Sequence, residues 1–537
     1  MRRTTIIMLI LFWVAIYLPN LKHQLIDPLE TFYVEASREM NLFNKAFTPV
    51  INGQELSHKP PLFFWIESIV IDSGQDIERD ARLPALLCII LLGLLVYYMG
   101  IYLGEERLAL YWSLLITTTP LSLFLGRSAL PTTLLMLIVF FSLFSLFKSH
   151  REHKKSWFGI AMVSTGLSLY VGGIIAPAII ILTWWLAHPL FVSDEGERKL
   201  FPLKNGATFL AGVLIAIGLL SLLEFILTGK VFVLNHFNKL GLPEITSSQL
   251  LLYLAFAVAI LSIGIFPLGV LSIGQLMRTG LVVKLTEKRR RWHWWMVSLF
   301  TVSLLSLPFH NLGISTFPLI LIPLSYFSAD FLDYLSRTRT KEKLPPIPTL
   351  LSFLYGIFMF IIGITLIIIP IVGMLLPELV PYIPYRFWQE ALQSPVHWEI
   401  PLVFIGLIFI TGNLVIIQSY KSNIFKWTLY TSILNGVIFF LVMNIYLPRF
   451  VHYWQGEIVN VYKELPADKS QVAPLNFTTY AHLLYLGNEG YKFNINLPAY
   501  QMFVYRSHDS IPDSIVQTYI PLYGYYYKID TLPIYLH

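Results

Sequence analysis

The sequence predicts an all-α polytopic membrane protein with about thirteen spanning helices, a long first outer loop and a small C-terminal α/β domain. Three observations carry this. Of the 537 residues, 55% are hydrophobic and 13% charged, about half the charge of a soluble domain. The apolar residues gather in runs of about 20, the length that crosses about 30 Å of hydrocarbon. Lys and Arg alternate between rich and poor from one connecting segment to the next.

The first apolar run, Thr4 to Leu18, follows Arg2 and Arg3. A cleaved signal peptide would need a small-x-small site, and Tyr17-Leu18-Pro19-Asn20 supplies none, so this is read as a retained first span. Further spans are expected near 83–103, 108–125, 130–147, 157–171, 174–191, 207–228, 249–277, 293–308, 313–334, 350–376, 400–419 and 427–447. Gly172 and Gly173 separate two of them, where a single broken helix is the alternative. With the N-terminus in the cytoplasm, the inner segments hold 22 of the 38 Lys and Arg, and the short outer loops hold only Arg127, Lys230, Lys239 and Arg386. That asymmetry fixes the expected orientation, with an odd number of spans and the C-terminal segment outside.

Two domains follow, a transmembrane domain over 1–447 that includes the outer loop 21–82, and an outer domain over 448–537. The runs Gln501–Tyr505 and Tyr523–Lys528 read as strands. The basic run 288–291 lies between two spans, which makes it a headgroup-facing topology signal rather than a nucleic-acid patch. Cys88 is the one cysteine, so neither a disulfide within the chain nor a cysteine metal site is available.

The first loop concentrates the polar chemistry. It carries ten of the 32 Asp and Glu. Leu29, Phe32, Tyr33, Ala36, Met40 and Phe43 form one stripe of a helix over 29–43, expected to lie along the membrane surface. Asp27 and Glu30 are three apart. His58-Lys59-Pro60-Pro61-Leu62 holds Lys59 beside two rigid prolines. A carboxylate there fits a general base or a divalent cation, and the lysine fits a phosphate. An ordinary solvated loop with surface ion pairs is the plainer reading.

Glu30-Thr-Phe-Tyr33-Val-Glu-Ala-Ser-Arg38-Glu39-Met40, Asn52-Gly53, Lys59-Pro60-Pro61-Leu62 and Arg82-Leu83-Pro84 resemble the bacterial lipid A aminoarabinose transferase family, GT-C glycosyltransferases akin to protein O-mannosyltransferases. The resemblance continues through Arg127 and Pro131, Gly166-Leu167, Gly172, Pro318 and Tyr480-Ala-His-Leu-Leu-Tyr485. It implies a GT-C fold in a bacterial inner membrane, a polyprenyl-phosphate-linked sugar as donor, and a periplasmic lipid, glycan or protein as acceptor. It implies no nucleotide sugar and no nucleic acid. Asp27 or Glu30 would be the base, and Lys59, Arg127 and Arg82 would meet the donor phosphate. His58, Arg38, Thr132 and His310 are further site candidates. No metal ligand set and no cofactor are assigned, and Asp27 and Glu30 leave a divalent cation open.

The chain departs from the family at several polar positions. Leu29 stands where the family's proposed base is, and Phe32 stands where an arginine is usual. Thr132 follows Pro131 in place of a carboxylate, His58 precedes Lys59 in place of an acid, and Val171 and Asn311 replace lysines. Arg38 fits an ion pair with Glu35 equally well, and Arg82 fits a helix-end anchor. Two readings therefore stand: an active transferase with a modified site, or a catalytically silent homologue that binds a lipid-linked sugar or serves an envelope complex. A transporter is the third. It is disfavoured because few ionisable residues lie inside spans, Glu224 being the clearest.

Overall fold

The computed structural model describes residues 2–187 except 46 and 75, then 203–238, 265–276, 286–306, 316–338, 346–384, 392, 394–464, 472–474, 479–486, 502–504, 519–522 and 525–528. Helices stand where the apolar runs predict them. They are α1 (Arg2–Tyr17), α5 (Leu83–Tyr102), α6 (Glu106–Thr118), α7 (Pro120–Gly126), α8 (Thr132–Glu152), α9 (Lys155–Gly172), α10 (Ile175–Ala187) and α11 (Leu203–Thr228), then, after the short α12 (Phe232–Asn238), α13 (Leu268–Leu276), α14 (Glu287–Leu305), α15 (Leu321–Thr338), α16 (Pro346–Leu379), α17 (Val403–Ser422) and α18 (Ile424–Leu441). Among the described residues, seven helices are long and apolar enough to cross a membrane, or eight if α6 and α7 form one span bent by 68°. The chain is a multi-pass membrane protein. Most of the expected span 249–277 lies outside the described residues.

The bend has a local cause. Pro120 has no N–H to continue α6 and suits the first turn of a new helix, which Thr119 caps by accepting the Ser122 amide. The α5–α6 hairpin depends on a small residue: a Cβ added to Gly100 would lie 2.4 Å from the Ala109 Cα, the close approach that membrane helices use in place of a hydrophobic driving force. Around Trp112 the bundle is filled by rings. Its N–H donates to Ser325 Oγ at 3.0 Å, and Phe140, Trp292 and Tyr326 pack against it. At the end of the bundle far from the first loop, buried Arg289 of α14 grips Asp330 at 2.5 Å and Asp333 at 2.7 Å, both on α15. Gln275 of α13 adds a 2.6 Å bond to Asp330, and Arg337 pairs with Glu105. Four elements are thereby cross-linked by charge.

The first loop is ordered. It holds α2 (Thr31–Leu42), a hairpin of β1 (Val50–Ile51) and β2 (Gln54–Glu55), α3 (Leu62–Ser73) and α4 (Ile77–Asp80). The last long helix does not stop at 447. It runs on through two π turns and α19 (Leu447–Val451) into α20 (Glu457–Glu464). A short α21 (Ala481–Leu486) follows. Four strands, Val472–Pro474, Met502–Val504, Tyr519–Leu522 and Tyr525–Lys528, form one sheet in which the second lies between the first and the fourth and the third is an edge. Two of them lie within the runs read as strands.

Candidate functional site

Two arginines pin the chain that leaves α1. Arg82 caps α5 and is fully buried. Its Nε and Nη2 meet the two Glu30 carboxylate oxygens at 2.9 and 2.7 Å. The same guanidinium donates to the carbonyls of Leu21, His23 and Gln24. Glu30 also accepts the amides of Ile26 and Ala129. Burial raises its carboxyl, but the Arg82 charge, the Arg82 hydrogen bonds and the two amides outweigh burial and hold it below the ordinary carboxylate range.

Arg127, between α7 and α8, donates to the carbonyls of Ile16, Tyr17, Pro19 and Asn20 and to Asn444 Oδ1. Its guanidinium lies 5.2 Å from the Phe440 ring centre. Burial, then the neighbouring Arg82, brings its pKa down to about 10, so it stays charged at neutral pH. Among the described residues it has no carboxylate partner. His23 sits between the two cations. Burial and then Arg82 lower it to about 4, so it is neutral.

Helix α2 turns its polar face inward. Arg38 makes a two-pronged pair with Glu35 at 2.8 and 2.7 Å and reaches the Leu483 carbonyl of α21. Glu39 accepts the amides of Asn52 and Gly53. Both have positive φ, +50° and +69°, as the two central positions of a type I′ hairpin require. Ser37 donates to buried Glu67 of α3 at 2.7 Å. Burial raises Glu67 well above the carboxylate range. Ala36, Met40 and Phe64 form the apolar seam beneath.

A different rim joins Asp27 to Lys59. Asp27 is half-buried, and its Oδ1 accepts the Thr31 hydroxyl at 2.6 Å and the amides of Tyr480 and Ala481 at 2.8 and 3.0 Å. Its own amide donates to Gln455 Oε1. Among the described residues its Oδ2 accepts no hydrogen bond. The Tyr480 ring meets Phe32 edge to face at 5.1 Å. The exposed Lys59 ammonium stands 5.8 Å over that same Phe32 ring. Tyr480, whose amide holds Asp27, and Lys59 thus both meet the Phe32 ring. Behind Lys59, the His58 carbonyl accepts from His236 Nδ1 at 2.9 Å. The ring's Nε2 then faces the Ile174 amide at 3.4 Å as acceptor, which fixes the tautomer. Trp65 donates to the Phe47 carbonyl and lies 6.3 Å from Tyr170. Tyr170 in turn donates to Glu224 at 3.3 Å.

The whole chain superposes on the crystal structure of ArnT from Cupriavidus metallidurans in the apo state with a TM-score of 0.66 at 13% identity, covering 98% of this chain and 97% of that one. It superposes on the same protein bound to undecaprenyl phosphate with a TM-score of 0.60 at 15% identity, covering 90% and 85%. The fold is GT-C. At these identities the likeness is one of fold. The family profile described as dolichyl-phosphate-mannose-protein mannosyltransferase matches residues 58–223, from His58 into α11. An uncharacterized protein of Aquifex aeolicus (strain VF5) is 23% identical over 176 residues, 32% of this chain and 34% of its own length. The match thus spans about a third of that relative.

Within this GT-C scaffold the candidates fall into two sets. Glu30, Arg82 and Arg127 lie together in a closed clamp, and Arg38 is tied to Glu35. Asp27, Lys59 and His58 lie on the open rim. Thr132 is buried in the first turn of α8, and Val171 is buried in α9. His310 and Asn311 lie outside the described residues. Among the described residues no three His, Cys, Asp or Glu side chains gather as a cation site. Sequence reasoning missed Gln455, Tyr480 and His236 as rim residues. Tyr480 belonged to a recognised segment but carried no assigned role. His236 gave only a lone imidazole among apolar residues, 178 positions from its partner.

Proposed function

We propose that the chain transfers a sugar from a polyprenyl-phosphate carrier to a lipid, glycan or protein acceptor on the periplasmic face of a bacterial inner membrane, with its N-terminus cytoplasmic and its C-terminal segment periplasmic. The observation that carries this reading is Asp27. Its Oδ1 is held by Thr31 and two amides, while Oδ2 accepts no hydrogen bond among the described residues. Asp27 Oδ2 takes the proton of the acceptor hydroxyl, and the acceptor oxygen bonds to the anomeric carbon of the sugar. The bond between that carbon and the phosphate oxygen breaks, and the electron pair leaves with the polyprenyl phosphate, whose charge Lys59 offsets. Arg127 adds positive potential from beneath the loop without touching the reacting atoms.

A second reading has its own support. Leu29 is 45% exposed where the family carries its base, and Glu30 is fully occupied by Arg82. A silent homologue would keep carrier binding without transfer. Purified protein in nanodiscs, supplied with polyprenyl-phosphate sugars and a membrane extract, separates the two. Transfer that drops by about 10²–10⁴-fold in Asp27→Asn, with carrier binding retained, supports the base. Wild-type inactivity across donors with intact binding supports the silent homologue.

A further inference from the structure

The end of the bundle remote from the first loop carries a built array of cations. Helix α8 begins beside the Glu30 clamp and is 21 residues long, so its far end lies about 30 Å away. There Lys148 stands 4.0 Å from the Trp157 ring centre and 5.5 Å from that of Tyr102. Lys288 of α14 lies over the other side of this group, 3.4 Å from the Tyr102 ring and bonded to the Tyr102 carbonyl. Arg151 and Arg291 share one carboxylate, Glu287. Lys148 and Lys154 share another, Glu152. Five cations, from α8, α14 and the N-cap of α9, therefore gather around two carboxylates, an excess of three positive charges.

We propose that this junction binds the headgroup phosphate of an anionic phospholipid. The charge excess calls for an anion, and the flanking surface calls for a lipid. Tyr98 at the rim is 48% exposed, and Ile160 and Val163 of α9, one to two turns from Trp157, are 38% and 56% exposed. A phosphate seated between Lys154, Arg151 and Arg291 leaves the acyl chains against that apolar face, the arrangement of basic interhelical pockets that hold lipid headgroups. Trp157 and Tyr98 supply amphipathic rings of the kind that favour a membrane interface. This site is independent of the sugar-transfer reading, and its occupant is part of the surrounding membrane.

The test uses the full-length protein in nanodiscs of phosphatidylcholine doped with phosphatidylglycerol, with bound lipids counted by native mass spectrometry. Each cation near such a site contributes about five-fold in affinity, so Arg151→Gln/Lys154→Gln is expected to weaken the first phosphatidylglycerol by about 25-fold. Both side chains are at least partly exposed, and an unchanged melting temperature confirms that the variant is folded. Lys426→Gln, an exposed lysine at the start of α18, is expected to leave binding within about two-fold, less than the effect of one cation at the site. Equal phosphatidylglycerol binding by the double variant and the wild type overturns the proposal. So does an equal loss in Lys426→Gln, which would make the effect one of overall charge. Displacement of the lipid by inorganic phosphate at matched concentration overturns the lipid as occupant.

Discussion

Replacing Arg82 by Met should unlatch the first loop while leaving the bundle folded. In the wild type, one buried guanidinium satisfies both oxygens of Glu30 and three carbonyls. Methionine fills much of the volume but donates nothing. Glu30 is left as a buried carboxylate with two amides, and the Leu21, His23 and Gln24 carbonyls lose their donor. Breaking a buried pair from one side costs about 3–5 kcal/mol, which raises the population of the opened loop by about 10²–10³·⁵-fold. Lys22 lies within the clamped stretch and is 62% exposed, so trypsin reports the opening directly. When reclosing is fast, the cleavage rate follows the open population. Cleavage after Lys22 should therefore accelerate by at least 100-fold in Arg82→Met, with cleavage at Lys426 unchanged as an internal reference. Arg82→Lys should recover only part of the effect, since an ammonium carries the charge but not the fork. Glu30 gives a pH check. Its folded pKa is depressed, so its contribution is present above the unfolded value of about 4.3 and is lost as pH falls through the folded value. The variant and wild type should converge in acid. Less than a ten-fold rise in Lys22 cleavage at neutral pH would refute the clamp.

Burial lowers His482 of α21 to about 4. The unfolded segment binds a proton near pH 6.5 and the docked one does not, so docking is fully stable above about 6.5 and weakens as pH falls toward 4. Amide protection factors over 479–486, which correct for the intrinsic pH dependence of exchange, should fall between pH 7 and 5, and His482→Gln should flatten that fall. Gly100→Ala places a methyl group against the Ala109 backbone and should cost about 1–3 kcal/mol, read as a lower midpoint of thermal unfolding in detergent. Arg289→Met removes the buried cation shared by Asp330 and Asp333, both fully buried, leaving Asp330 with Gln275 and Asp333 with Arg337, and should cost about 3–5 kcal/mol. A triple variant that also carries Asp330→Leu and Asp333→Leu should regain much of that loss.

The sequence made the spans legible because apolar length is a local property. Glu106–Thr118 and Thr132–Glu152 lie close to their apolar runs, and the stripe Phe32, Tyr33, Ala36, Met40 announced α2. Asn52-Gly53 stands out in the sequence only as part of the family resemblance, although this dipeptide suits a two-residue hairpin turn, and the structure pairs Val50 with Glu55 across it. Helix α3 was harder to foresee. Its twelve residues are too short to read as a span and lie inside a segment rich in acids. The candidate site was legible as a residue set but not as an arrangement. Glu30 and Arg82 both stood out, yet nothing local says that they meet across 52 positions and neutralise each other. Asp27 looked displaced from the family's base. Its orientation depends on Gln455 and Tyr480, more than 400 residues away, and no periodicity reports such a contact.

The grip of Arg82 and Arg127 has a consequence for how this loop tolerates change. Together they hold seven carbonyls between Ile16 and Gln24. A carbonyl is present whatever the side chain, so the geometry of this stretch is encoded at two positions outside most of it. In a saturation library, exposed Leu18 and Lys22 should accept nearly any residue. Asn20, with φ +54°, should accept mainly Gly and Asp. Arg82 and Arg127 should accept almost nothing. The stretch is a surface whose chemistry can be rewritten while its path is kept.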